Sequence, residues 1–304
     1  MKTLLPLSVI IATADRKQSL NNTLQSISAQ NCQPSEIIII DASVNDAIEL
    51  TIKSEKYNLP GEIVYKKACQ KGAAVQRNEG VELAKYDIIG FMDDDIFLEP
   101  CCIENLWNAC QDANVGGVNA LITNQQFVIP GFITRTFYKL MDGKKAKQPG
   151  GKLLGPLINI LPADDQNLGQ IIPVEWLNTT CTFYNKKYLP HPPFDLHFKG
   201  YSLMEDVALS IRVGKLAKLY NVRTARIFHD TQPGTEKNNI AIMAEMELVN
   251  RYYVMKNVAA LTGWKPYVKL FFQQLFYALS TRLIFRFAFI KGKIKGIKKI
   301  MKFS

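Results

Sequence analysis

Apolar runs alternate with helix-like segments along the first half of the chain. Continuous apolar runs, typical of strands buried on both faces of a sheet, predict strands at residues 7–11, 36–40, 63–65, 86–92, 115–123 and 181–184. Apolar residues spaced three and four apart predict helices at residues 19–30, 45–57, 73–84, 102–113 and 204–215. Pro34 is expected to break the chain ahead of the second strand. Strand and helix in alternation predict a doubly wound, mostly parallel sheet flanked by helices.

The N-terminus has two interpretations. Lys2, the apolar run after it and Ala12-Thr13-Ala14 imitate a signal peptide with a small-residue cleavage site. A buried first strand is favoured instead, because the segments that follow repeat the same strand-and-helix logic.

Acidic residues follow the predicted strands. Asp15 comes just beyond the first strand, Asp41 ends the second, and Asp93, Asp94 and Asp95 end the fourth. In open α/β sheets, ligands bind at this edge. Clustered carboxylates repel one another unless a cation neutralises them, and hard oxygen ligands suit Mg²⁺ or Mn²⁺ held together with phosphate oxygens. The cluster therefore predicts a divalent metal and a phosphorylated ligand, with a solvated acidic turn as the alternative.

A second acidic motif, Glu205-Asp206, opens a predicted helix. Carboxylates are stabilised at helix N-termini by the macrodipole, so simple capping is one interpretation. The other is a general base, because a carboxylate within hydrogen-bond reach can take the proton of an attacking hydroxyl.

The composition is that of an ordinary globular protein, with 304 residues of which 47% are hydrophobic and 21% charged. The six cysteines form no CxxC pair and no cluster with zinc-ligand spacing, so a reduced, cytosolic compartment is expected. The charge is uneven, since every Asp and Glu lies in residues 1–247 whereas residues 248–304 carry 12 Lys and Arg. The net charge of +10 therefore belongs to a C-terminal appendage, which indicates a tail that meets an anionic surface rather than a nucleic-acid-binding body.

The tail, residues 264–304, predicts basic amphipathic helices. Its longest charge-free stretch covers residues 270–281, which at 12 residues is short of the roughly 20 needed to span a bilayer. Phenylalanines and leucines recur at helical spacing, and six lysines then alternate with isoleucines over residues 291–304. Such helices lie in the membrane interface, so we expect a cytoplasmic protein that is peripheral at the inner face of the cytoplasmic membrane. Packing of the tail against the catalytic domain and nucleic-acid binding are the alternatives; the phenylalanine-rich face favours lipid over nucleic acid.

Several segments, taken together with the sheet pattern, resemble family 2 glycosyltransferases with a GT-A nucleotide-diphospho-sugar transferase fold. The resemblance runs from about Leu7 to about His229. The segments that carry it are Ile-Ile-Ala-Thr-Ala-Asp-Arg at 10–16, Asp-Ala-Ser-Val-Asn-Asp at 41–46, Lys-Gly-Ala-Ala-Val-Gln-Arg-Asn-Glu-Gly at 71–80, Asp-Asp-Asp at 93–95, Glu-Asp-Val-Ala-Leu-Ser-Ile-Arg at 205–212 and Ala-Arg-Ile-Phe-His at 225–229. The first segment departs from the family's P-T-Y-N-R pattern at Ala12, Ala14 and Asp15, and Gln76 stands where the third normally has alanine.

The resemblance implies a role for each matching residue. Nucleotide-binding residues would be Thr13, Asp15, Asp41, Gly72, Arg77, Asp93 and Asp94. Metal ligands would be Asp93, Asp95 and His229. The catalytic motif would be Glu205 and Asp206, with Asp206 as the base. Trp176 and Asp195 are expected on the acceptor side.

The resemblance also implies an activity and an organisation. The activity is inverting, Mg²⁺- or Mn²⁺-dependent transfer of a sugar from a nucleoside-diphosphate sugar to a hydroxyl of a glycan or polyprenyl-linked acceptor, in cell-surface polysaccharide synthesis. UDP is the nucleotide it favours, with dTDP and GDP left open. The catalytic domain would cover residues 1–247, with a nucleotide-binding half at about 1–125 and an acceptor half at about 126–247, followed by the basic tail at 248–304.

Three other classes of protein can be compared with this sequence pattern. A sugar-phosphate nucleotidyltransferase would need a glycine-rich loop after the first strand, but residues 12–17 contain no glycine. A haloacid-type phosphatase would need Thr or Val where Phe97 stands. A non-catalytic, membrane-attached scaffold or carbohydrate-binding protein that retains the fold stays open, because a fold alone does not establish an activity.

Overall fold

A nine-stranded mixed sheet forms the centre of the protein. The computed structural model describes residues 2–54, 57, 59–125, 127, 130–143, 150–232 and 238–303. The strands are β1 (Thr3–Thr13), β2 (Cys32–Asp41), β3 (Glu62–Lys67), β4 (Ile88–Asp93), β5 (Ile96–Leu98), β6 (Val115–Ile122), β7 (Leu153–Leu154), β8 (Ile158–Asn159), β9 (Ile171–Pro173), β10 (Cys181–Asn185) and β11 (Lys218–His229). Of these, β7 and β8 form a separate two-stranded sheet.

The strand order is β3-β2-β1-β4-β10-β6-β11-β5, with β9 also paired to β11. Strands β3, β2, β1 and β4 pair in parallel, as do β6 and β11. Strand β10 runs antiparallel between β4 and β6, and β5 and β9 are antiparallel to β11. The predicted mostly parallel sheet is therefore confirmed.

Helices cover both faces of this sheet. They are α1 (Lys17–Ser28), α2 (Ala47–Ser54), α3 (Ala73–Leu83), α4 (Cys102–Ala109), α5 (Phe132–Asp142), α6 (Glu205–Gly214), α7 (Ile240–Tyr253), α8 (Lys265–Ser280) and α9 (Leu283–Phe303). Alternate side chains of β1 face opposite ways: Val9 and Ile11 pack with α1 and α4, and Ile10 packs with α3 and α6. Helix α3 lies close to β1 at Gly80, where a Cβ would stand only 2.4 Å from Cγ2 of Ile10.

The expected break at Pro34 is wrong, because β2 begins at Cys32 and runs through the proline. Pro34 pairs with Leu5 on one side, and β3 contacts β2 only from Glu36 onward. The missing N–H therefore lies near the start of the strand, where a proline is tolerated.

The tail, residues 264–304, consists of two helices. Thr281 and Arg282 separate α8 from α9, and α9 packs along α7. The change in charge at residue 248 falls inside α7, so it does not coincide with a helix boundary. Within the described part of the chain, every helix is too short or too polar to cross a membrane.

Candidate active site

The carboxyl ends of β1, β2 and β4 bring the predicted acidic residues to one edge. The parallel register sets Thr13 beside Asp41 and Ala12 beside Asp93. The departure from the family pattern at Gln76 has a structural reason. The buried amide of Gln76 donates to the carbonyls of Thr13 at 2.9 Å and Ile40 at 2.7 Å. It thereby joins the ends of β1 and β2.

Asp41 is fully buried beneath this edge. Its carboxylate accepts hydrogen bonds from the Ser43 amide at 2.8 Å and the Tyr65 hydroxyl at 2.9 Å. Asp15, whose φ of 59° is left-handed, accepts from the Val44 amide at 3.1 Å and contacts Lys71 at 3.3 Å. The Val44 hydrogen bond lowers the pKa of Asp15. These contacts fix the turn after β2 against the turn after β1.

The three consecutive aspartates point in different directions. Asp94 turns inward, accepting from the Thr13 hydroxyl at 2.6 Å and from Arg16 at 3.1 Å. Burial raises the pKa of Asp94 to about 6. Asp95 contacts Nε2 of His229 at 3.1 Å; although burial opposes it, the hydrogen bond from His229 lowers the pKa of Asp95. Thus Asp94 anchors the loop, whereas Asp93 and Asp95 are the two carboxylates that a ligand could contact.

Asp93, Asp95 and His229 form a group that can hold a metal ion. One ligand atom from each lies within 4.8 Å of the others. Two carboxylates and an imidazole form a donor set that Mn²⁺ or Mg²⁺ accepts. Gln125 contacts the other ring nitrogen, Nδ1, at 3.3 Å, which orients the ring as outer partners of metal-binding histidines do. The residues therefore fit the divalent metal expected from the sequence.

Arg77 joins this group to α6. Its buried guanidinium contacts Asp93 at 2.7 Å and pairs with Glu205, and it lies 5.5 Å above the ring of Phe194. One arginine therefore neutralises a carboxylate from each side of the site. Burial raises the pKa of Glu205 to about 7 in spite of this partner.

Asp206 lies in the first turn of α6, where its Oδ1 accepts from the Val207 amide at 2.7 Å. Burial raises the pKa of Asp206 to about 6. A carboxyl group with this pKa is mostly ionised at neutral pH and can still accept a proton. The arrangement suits a general base, and the helix N-terminus stabilises its charge.

The segment before α6 crosses to the nucleotide side. Gly72, at a φ of 149°, forms a parallel bridge with Gly200, and a Cβ on Gly72 would lie 3.4 Å from the Gly200 nitrogen. Tyr201 follows at once. Burial raises the pKa of its phenol, with a further contribution from the nearby carboxylates of Asp93 and Asp206. Sequence reasoning missed Tyr201 because nothing in its spacing marks an aromatic residue as facing the site.

The two expected acceptor-side residues, Trp176 and Asp195, contact other parts of the protein. Trp176 is 3% exposed and donates its indole N–H to the Ile160 carbonyl at 2.9 Å, so it belongs to the core. Its apolar ring and single satisfied donor are the physical reason for this burial, and its role on the acceptor side stays a prediction. Asp195 pairs with Arg212 and accepts from the Tyr253 hydroxyl at 2.7 Å. It therefore anchors the loop before α6 to α6 and α7.

This mostly parallel sheet flanked by helices is the GT-A fold. Residues 8–152 match the family model described as Glycosyl transferase family 2. This match covers just under half of the chain and agrees with the resemblance to family 2 glycosyltransferases seen in the sequence motifs.

Two curated relatives match a limited region. The uncharacterised glycosyltransferase YwdF of Bacillus subtilis is 36% identical over 110 residues, which is 36% of this chain and 39% of that protein. The poly(ribitol-phosphate) beta-N-acetylglucosaminyltransferase TarP of Staphylococcus aureus is 32% identical over 111 residues, 35% of this chain and 33% of TarP. The chain thus spans about a third to two fifths of the length of these relatives.

Solved structures share the fold over nearly the whole chain. S. aureus TarS, residues 1–349, superposes with a TM-score of 0.55 at 15% identity, covering 96% of this chain and 79% of that one. The mannosyltransferase PcManGT of Pyrobaculum calidifontis gives 0.57 at 11% identity, covering 97% and 87%. At these identities the likeness concerns the fold alone.

Proposed function

We propose that this chain is an inverting, metal-dependent glycosyltransferase. It moves a sugar from a nucleoside-diphosphate sugar to a hydroxyl of a glycan or lipid-linked acceptor in cell-surface polysaccharide synthesis. One observation carries the proposal: Asp93, Asp95 and His229 converge within 4.8 Å, and Arg77 connects this group directly to the helix that begins with Glu205 and Asp206. A metal-binding group and a raised-pKa carboxylate thus share one edge of the sheet.

The nucleotide-binding half is residues 1–125. Asp41 would contact the base, with Thr13, Asp15 and Asp94 beside it in the nucleotide site. Gly72 would allow close backbone approach. UDP is the proposed nucleotide. Support for a nucleoside-diphosphate sugar as the donor comes from solved structures with the same fold. TarS has been solved in complex with UDP-GlcNAc, and PcManGT in complex with GDP-Man and Mn²⁺.

Asp93, Asp95 and His229 would hold Mg²⁺ or Mn²⁺. Held there, such an ion would supply Lewis-acid neutralisation of the charge on the leaving nucleoside diphosphate. Arg77 keeps the Asp93 carboxylate oriented by its 2.7 Å contact. Gln125 keeps the His229 ring oriented through Nδ1.

Asp206 would take the proton of the acceptor hydroxyl while that oxygen attacks the anomeric carbon. A single displacement of this kind inverts the anomeric centre and needs no protein nucleophile. Glu205 shares Arg77 with Asp93, so it would hold the base-bearing turn in register with the donor. The acceptor would enter over residues 126–247, beside the loop that Asp195 anchors.

Residues 248–304 would attach the catalytic domain, residues 1–247, to the membrane, at the cytoplasmic face where polyprenyl-linked acceptors present their hydroxyls. The charge distribution supports this, because residues 248–304 carry 12 basic residues and no acidic one, and only Arg251, Lys293 and Lys299 among the described residues pair with glutamates of α7. Each basic residue near an anionic leaflet contributes about 1 kcal/mol.

The test separates transfer from binding. Asp206→Asn should abolish sugar transfer while the affinity for the nucleotide, measured by calorimetry, stays unchanged. Ser202→Ala, a substitution just before the helix that carries Asp206, serves as a matched control for folding. Nucleotide binding without any transfer by the unsubstituted protein, across donor and acceptor panels, would favour the alternative of a non-catalytic scaffold or carbohydrate-binding protein.

A further inference from the structure

Helix α8 turns apolar residues outward. Its exposed residues are Val268, Phe271, Phe272, Leu275 and Leu279. The side that faces the protein includes Leu270 and Gln273, both buried, so apolar residues lie on the outer side of the helix as well as on the inner side. A helix on the surface of a water-soluble protein keeps its apolar residues inward.

Helix α9 is built in the same way. It contacts α7 through Gly292, Lys293 and Gly296, all buried. A Cβ on Gly292 would lie 2.2 Å from the Ala241 carbonyl oxygen, so the two helices approach closely. The exposed apolar residues of α9 include Leu283, Ile284, Phe287, Ile290, Ile294, Ile297 and Met301. Two glycines and a lysine thus meet the protein together with Ile300, and most of its large apolar residues face away.

Helix α5 also has exposed apolar residues. Phe132, Ile133 and Leu140 are 75%, 75% and 73% exposed. The helix lies against α8, because Phe137 stacks on Phe276 with ring centres 4.1 Å apart and the planes 4° from parallel. We call the exposed apolar residues of α5, α8 and α9 the outward face.

The charge around the outward face indicates what covers it. Lys291, Lys295, Lys298 and Lys302 are exposed on α9, and no acidic residue follows Glu247 in the sequence. A second copy of the chain would bring two such basic tails together, which like-charge repulsion opposes. An anionic bilayer offers both an apolar layer and complementary charge, and basic amphipathic helices lie in such an interface.

We propose that α5, α8 and α9 form one face that lies on an anionic bilayer, with Phe132, Ile133 and Leu140 of α5 entering the apolar layer beside the tail. This deepens the proposed function, on which it rests, because it adds the acceptor half to the membrane contact. Phe132 follows Gln125, which contacts His229, by seven residues, a distance of at most about 25 Å along the chain. The lipid surface and the metal-binding group are thereby connected through one short segment.

The experiment is vesicle flotation of the full chain. The vesicles are either neutral phosphatidylcholine or phosphatidylcholine with about 30% phosphatidylglycerol. Binding to each is measured at low and at high salt. The chain should bind anionic vesicles, and high salt or neutral lipid should weaken binding at least tenfold. The double variant Phe132→Ser/Ile133→Ser should lose at least tenfold, since it removes two apolar side chains from the layer. Lys295→Gln should cost about fivefold on anionic vesicles only.

A matched control changes two exposed leucines outside the outward face, Leu50→Ser/Leu216→Ser, and should bind like the original chain. Equal binding by the α5 variant and this control would overturn the role of α5, as would failure of the chain to bind anionic vesicles. Concentration-dependent dimerisation in sedimentation, lost in the α5 variant, would assign the face to a second copy and overturn the proposal. Nucleotide binding by the unsubstituted chain, measured without vesicles, keeps the two proposals apart. If that chain binds nucleotide but no vesicles, this inference alone is contradicted; if it binds vesicles but no nucleotide, the proposed function alone is contradicted.

Discussion

Glu247 holds the tail to the body of the protein from inside a buried ion cluster. Its carboxylate pairs with Arg251 on the same helix and with Lys293 of α9. Arg251 also donates to the Pro156 carbonyl at 3.1 Å. Although burial opposes it, the positive charges of Arg251 and Lys293 lower the pKa of Glu247 to about 2. The cluster therefore favours the ionised carboxylate strongly.

We predict that Glu247→Gln destabilises the protein by about 3 kcal/mol at pH 7. The fall of the pKa from its usual 4.5 to about 2 corresponds to this free energy, since one pKa step is about 1.4 kcal/mol. Removal of one partner from a buried ion pair costs a similar 3–5 kcal/mol, roughly, because the other charges stay buried. The measurement is the free energy of unfolding in urea.

The pH dependence has a definite sign. A depressed pKa in the folded state contributes stability that is present above the unfolded value near 4.5 and is lost as the pH falls toward 2. Glu247→Gln should remove this part of the acid dependence.

The matched control is Glu245→Gln on the same helix. Its partner Lys299 lies 3.4 Å away and is 53% exposed, so the loss should stay below about 1 kcal/mol. Equal losses for Glu245→Gln and Glu247→Gln would refute the reasoning that burial makes the Glu247 cluster strong.

Three further predictions concern the helix contact and the catalytic base. Gly292→Ala should cost about 1–3 kcal/mol in urea unfolding because its Cβ would meet the Ala241 carbonyl, whereas Gly131→Ala, with open space around it, should change stability by less than about 0.5 kcal/mol. Asp206→Asn should lower kcat by roughly 10²–10⁴ in a transfer assay, and an undiminished rate would exclude Asp206 as the base. In the unsubstituted protein, kcat/KM should fall as the pH drops through about 6, since burial raises the pKa of Asp206 to about 6 and only its ionised form accepts a proton; an acid limb near 4 would contradict this.

The strands and helices with strong local patterns were predictable from the sequence. The run Ile37 to Ile40 lies in the middle of the sheet, where both faces are buried, so it is apolar without interruption. Strand β5 was missed, because a segment of three residues is too short to show a period. The sequence did not indicate α7 as a single helix. The change in charge at residue 248 falls within it, although its backbone is continuous.

At the candidate site, the sequence could place residues at the ends of strands but could not orient their side chains. Asp93 and Asp94 are neighbours in sequence, yet one contacts Arg77 and the other turns inward to Thr13. Those directions depend on packing between distant segments. For the same reason, the burial of Trp176 could not be read from its position in the chain.

The most direct test of the central claim is calorimetric binding of UDP, dTDP and GDP, each with and without Mn²⁺, to the original chain and to Asp95→Ala. We predict that one nucleotide binds in a Mn²⁺-dependent way and that Asp95→Ala, folded as judged by circular dichroism, loses this binding. Failure of every nucleotide to bind the folded original chain would contradict the claim that this protein is a nucleotide-sugar transferase.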